Sequence, residues 1–199
     1  MKDGHVVVTR VGEVVEASTA QFTAQCYELH QPPPFGSLVK IAEGDVHIYA
    51  VVSIATTTSI EPGRRPIARG ADEEDEAGIY QSSPQLSKLL RTDFQAVVVG
   101  HEAAGDLHHY LPPRPARIHS FVYLCGAEEV ARFTQSFDFL SHLLSVEWQA
   151  DELVAAFVRR AGLAHEDCHA FLVKAGRELA VLLGGETNRL STILRRLQA

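Results

Sequence analysis

The stretch Arg10-Val11-Gly12-Glu13-Val14-Val15, followed by Phe22-Thr23 and then by Phe35-Gly36-Ser37-Leu38-Val39-Lys40-Ile41, decides the fold. Runs of Val, Leu and Ile that alternate with polar residues suit half-buried strands. An isolated glycine within such a run marks a sharp bend or the close approach of another backbone. Gly12 and Gly36 stand at such places. Gly36 follows Pro32-Pro33-Pro34, so a turn is expected there in which a side chain would clash or φ would be positive. The reading is the opening of a small β-barrel.

Working outward, strands are expected over Val6 to Glu16, Phe22 to Leu29, Ser37 to Ile41 and Val46 to Ile60. The prolines at 32–34 and Glu43-Gly44-Asp45 separate them. The segment Glu61-Pro62-Gly63-Arg64-Arg65-Pro66 begins a linker that runs into Asp72-Glu73-Glu74-Asp75-Glu76. Five successive carboxylates repel one another, which predicts a mobile surface loop, and Arg64, Arg65 and Arg69 are placed to neutralise it. Pro84 to Leu90 reads as a short helix, Phe94 to Gly100 as a buried strand and Ile118 to Cys125 as another.

After Gly126 the apolar period changes from two to 3.6. Helices are expected at Ala127 to Thr134, Phe137 to Val146, Ala150 to Ala161, Glu166 to Leu183 and Asn188 to Leu197, with Gly162 as a left-handed C-cap. Trp148 reads as a packing anchor between the two regions. The expected fold class is α+β: barrel core over 1–60, an acidic linker and mixed segment over 61–125 that completes or covers the barrel, and a helical domain over 126–199.

The glycine-bearing strands, together with Gly36-Ser37-Leu38-Val39-Lys40-Ile41 and Tyr49-Ala50-Val51-Val52-Ser53-Ile54, resemble the HAS barrel. That is the N-terminal barrel of HerA-type DNA-translocating ATPases and of the F-type ATP synthase α and β subunits. The resemblance covers about the first third of the chain. It implies a module that assembles with protein partners or with copies of itself. It does not bring ATPase activity with it. A P-loop needs Gly-x-x-x-x-Gly-Lys-Ser/Thr to cradle phosphates, and Lys2, Lys40, Lys88 and Lys174 each follow a residue other than glycine.

At 199 residues and 46% hydrophobic content the chain is long enough for a self-sufficient core. Its formal charge of −7 argues against direct, general binding of nucleic acid. The start Met1 to Val8 has no apolar leader and no stretch reaches the length of a membrane span, so a cytoplasmic protein is expected. Cys26, Cys125 and Cys168 are odd in number and widely spaced, which suits free thiols.

His165-Glu166-Asp167-Cys168-His169 fits His-Glu-x-x-His. On a helix that spacing sets two imidazoles on one face where they can grip zinc, with the glutamate as base. Here it falls at a predicted helix start, where Glu166 and Asp167 favour the N-terminal dipole. The expectation is therefore a capped helix start with exposed histidines, no cofactor and no metal. A second cluster, Gly100-His101-Glu102 with His108-His109, is read as accidental because Gly105-Asp106 signals a flexible turn. No Gly-x-Ser-x-Gly elbow and no protease-like cysteine context exists. A non-enzymatic protein-binding or assembly module leads. An accessory partner of a DNA-processing translocase or nuclease, using a basic groove of Arg64, Arg65, Arg69 or Arg195-Arg196, is the alternative, and a zinc hydrolase is the minor one.

Overall fold

The computed structural model describes residues 9–147 and 149–197, so the expected leader-free start and the Trp148 anchor lie outside the described residues. Seven strands form one antiparallel sheet: β1 (Arg10–Ala17), β2 (Gln21–Cys26), β3 (Leu38–Glu43), β4 (Val46–Ser59), β5 (Leu90–Ala103), β6 (Asp106–His108) and β7 (Phe121–Leu124). The order is β2-β1-β7-β3-β4-β5-β6, and β2 pairs again with β5, which closes six strands into a barrel. The fold is thus α+β, with the barrel first and helices after it. β5 and β7, both from the 61–125 segment, are staves of the barrel, whereas β6 extends β5 beyond it.

Alternation along the strands sorts side chains into two layers. Val14, Phe22, Ile41, Ile48, Phe94 and Val122 fill the barrel, each at most 3% exposed. On the outer faces of β3, β4 and β5, Leu38, Tyr49, Val51 and Val99 belong instead to the core shared with the C-terminal helices. These helices are α3 (Ala127–Phe133), α4 (Leu140–Leu144), α5 (Ala150–Gly162), α6 (Cys168–Leu182) and α7 (Thr187–Leu197). α5 is the keystone: its stripe of Leu153, Val154, Phe157, Val158 and Ala161 is fully covered. The helices therefore form a layer over one flank of the barrel.

Both barrel glycines have a definite reason. A Cβ on Gly12 would run into the carbonyl oxygen of Gln25 across the β1–β2 pair. Gly36 has φ +75°, and a Cβ there would come within 2.8 Å of the Ala156 Cβ and 2.9 Å of the α5 backbone. The turn before β3 thus sits directly on α5, and only glycine satisfies both the dihedral and the space.

Three local expectations are corrected. Gly162 is not a left-handed cap: it is the last helical residue of α5, and Leu163 in right-handed conformation follows it. Its lack of a side chain instead admits the Cys168 sulfur, 3.0 Å from where a Cβ would stand. The acidic run is not all loop, because Asp75 caps α1 (Glu76–Ser82) by accepting from the Gly78 amide at 2.8 Å. The helix expected from Pro84 shrinks to α2 (Leu86–Leu89). The turn expected at Gly105-Asp106 is present as a tight hairpin through Ala104-Gly105 into β6, with Gly105 at φ +88°.

Candidate functional site

The helices cover β3, β4 and β5, and the outer faces of β1, β2 and β7 keep large exposed side chains. On that flank the Arg10 guanidinium lies between two rings, 5.0 Å from the centroid of Tyr27 and 4.5 Å from that of Phe121. β1 runs between β2 and β7, with Arg10 at its start opposite Tyr123 and Phe121 opposite Glu13, so the Arg10 side chain reaches diagonally across to Phe121, while the amide of Tyr27, just after β2, donates to the Val11 carbonyl beside it. Tyr27 and Phe121 remain 46% and 42% exposed, with Val15 at 43% and Ile118 at 50%. The Tyr27 hydroxyl donates to Glu13, whose carboxylate also holds the His119 ring. His119 itself has φ +72°. The patch is an aromatic and cationic surface with one anchored carboxylate at its rim.

A second constellation joins the barrel to α3. The Tyr49 side chain is fully buried, and its hydroxyl lies 3.0 Å from Glu102, 3.1 Å from Glu129 and 2.8 Å from an Arg132 donor. Arg132 also donates to Glu102 at 2.5 Å, and Lys40 to Glu129 at 2.6 Å. The hydrogen bond from Arg132 holds Glu102 below the usual carboxylate range, while burial pushes the Tyr49 phenol and the neighbouring Cys125 thiol up. Tyr49 and Cys125 thus stay protonated and Glu102 ionised at neutral pH, which leaves none of the three poised for proton transfer. The constellation serves as an anchor that fixes α3 against β3, β4 and β5. The sequence gives no local signal for it, because Lys40, Tyr49, Glu102, Glu129 and Arg132 come from four separate elements.

The His-Glu-x-x-His residues do not share a helix face. α6 begins at Cys168, capped by the Asp167 carboxylate on the Ala170 amide at 2.8 Å, so His165 and Glu166 precede the helix. His169 is exposed. His165, expected to be exposed, is half-buried: it stacks on Phe171 at 4.1 Å and meets the Thr134 hydroxyl at 2.8 Å. Burial lowers its pKa, with a smaller contribution from Lys174.

His101, His109 and His142 act as packing staples. His101 meets the Tyr110 carbonyl at 3.1 Å, and His109 meets that of Phe133 at 2.9 Å while lying edge-on to that ring. His142 meets the His109 carbonyl at 3.0 Å. Glu102 does not join His101 but goes to Arg132. Among the described residues no group of three or more His, Cys, Asp or Glu side chains is arranged to hold a metal ion.

Arg64, Arg65 and Arg69 are brought together around one cavity, whereas Arg195 and Arg196 lie on α7 with Arg196 paired to Glu152 at 2.8 Å. The two arginine groups do not line a common cavity. Cys26, Cys125 and Cys168 are free thiols, and burial pushes the Cys26 thiol up to about 11. No helix among the described residues is long and apolar enough to cross a membrane. The chain matches no known family model and no curated protein sequence.

Proposed function

We propose that this chain is a non-enzymatic binding or assembly module, and that it docks a protein partner, or a second copy of itself, through the β2-β1-β7 flank of the barrel. The carrying observation is the Arg10 stack between Tyr27 and Phe121, exposed on the flank that the helices leave open. Tyr, Phe and Arg are residue types enriched at protein interfaces: the rings add contact area with few rotamers to freeze, and a guanidinium held between two rings has already given up much of its freedom. The barrel interior is filled by its own side chains, which favours recognition by the outer surface over carriage of a ligand inside. A HAS-type origin for the barrel and a cytoplasmic setting belong to the same proposal.

The test is affinity capture from the native cell with two baits, the wild-type chain and Arg10→Glu/Phe121→Asp, together with light scattering of each purified protein. A partner or dimer that is retained by wild type and lost by the variant, at an unchanged melting temperature, is the expected result. Identical captures and identical masses for the two proteins would overturn the assignment of this flank.

A further inference from the structure

Between β4 and β5 the chain makes an excursion, from Ile60 to Leu89, that belongs to neither core. It contains α1 and α2, and neither helix buries a single residue. Its apolar side chains converge instead on a cavity of about 440 Å³. Ile67, Ile79, Tyr80 and Leu89 line the apolar part, and Arg64, Arg65 and Arg69 line the same space. Two hydrogen bonds tie the excursion down. The Ile60 amide donates to the Leu89 carbonyl at 3.0 Å, and the Tyr80 hydroxyl meets the His30 ring at 2.9 Å.

Among the described residues no carboxylate of the neighbouring acidic run forms an ion pair with these arginines. Arg64 pairs with Glu61 at 2.8 Å, outside that run, and among the described residues neither Arg65 nor Arg69 has an ion-pair partner. Asp75 is occupied as the α1 cap, and Glu73 accepts from Ser82 at 2.5 Å. Glu76 is the one carboxylate lining the cavity. Within the lining, Arg64 is paired and Glu76 offsets one of Arg65 and Arg69, which leaves one positive charge facing the cavity, a match to a single negative charge rather than to a dianion.

A cavity of roughly 300–1,000 Å³ lined by apolar side chains, with a few convergent charged groups, is the usual form of a small-molecule site. We propose that the excursion binds an amphiphilic monoanion of the medium-chain carboxylate class, with its alkyl chain among Ile67, Ile79, Tyr80 and Leu89 and its carboxylate on Arg65 and Arg69. Arginine suits that role because its planar fork matches a carboxylate with two parallel hydrogen bonds. At about 440 Å³ the space matches one small molecule rather than a protein segment. This site is separate from the β2-β1-β7 flank, and neither assignment depends on the other.

Calorimetric titration of the purified full chain with decanoate, decan-1-ol and acetate tests the proposal. Decanoate should bind saturably at one per chain, decan-1-ol about tenfold or more weakly and acetate not at all, because both the chain and the charge contribute. Arg65→Glu/Arg69→Glu should lose decanoate and gain decylammonium, a reversal that a misfolded excursion cannot produce. Three results would overturn the proposal: absence of saturable decanoate binding to wild type, decanoate binding unaltered in the charge-reversed variant, or displacement of decanoate by a single-stranded oligonucleotide at equal concentration. The last would assign these arginines to a phosphate backbone.

Discussion

Helices α4 and α5 bury Leu140, Leu143, Leu153, Val154 and Phe157 against the barrel, whereas α1 and α2 in the excursion bury nothing. Capping does not account for the difference: Asp75 gives α1 a side-chain cap, while α5 starts from Gln149 without one. What separates them is the surface beneath. β3, β4 and β5 offer Leu38, Tyr49, Val51 and Val99 to the C-terminal helices, and short helices in water gain most of their stability from such an apolar face. The excursion has a cavity where that face would be. Order in the first set follows from burial, and order in the second from caps and a few hydrogen bonds at its base.

That contrast can be broken at the seam. Phe157 is 1% exposed and lies edge-on to Phe139 at 5.1 Å, so Phe157→Ala should cost about 3–5 kcal/mol, read by denaturant unfolding. A loss below about 1 kcal/mol would mean that α5 is not the keystone of the layer. Gly36→Val comes next, because it forces a branched side chain into φ +75° against Ala156. The expected loss is about 1–3 kcal/mol, with barrel and helices melting together. An unchanged melting temperature would remove the contact between this turn and α5. The smallest effect belongs to the excursion: Ile79→Ala, in a helix without buried residues, should change global stability by less than about 0.5 kcal/mol. A larger loss would make the excursion part of the cooperative core.

Much of the architecture was legible where local pattern and final environment agree. The apolar stripe of α5 predicts the face it buries, and the two isolated glycines predict a close approach at Gly12 and a positive φ at Gly36. Barrel closure was less legible. It depends on β2 pairing with β5 some 70 positions later, as in Gln21↔Val97, and no local period encodes a partner. The acidic run hid α1, since a block of five carboxylates reads as repulsion although its fourth member, Asp75, is a good cap. Gly162 misled for the reverse reason: a glycine at a helix end signals a left-handed cap, but here the space was needed by Cys168. His165-Glu166-x-x-His169 failed to form a helix face because the cap fell at Asp167, after the first histidine. The Arg10 stack was invisible because its rings come from β7 and from the residue that follows β2.

The hydrogen bond from Ile60 to Leu89, with Ser59 paired to Leu90 just below it, has an architectural consequence. The excursion leaves and rejoins the barrel at adjacent points, so β4 and β5 behave as one long hairpin in which a whole lobe takes the place of the turn. Loop closure costs grow only logarithmically with length, so the barrel's stability is nearly indifferent to what hangs there. That junction is a port. A short turn can replace the lobe, or a different lobe can be grafted in its place, while the pairing of the staves stands still.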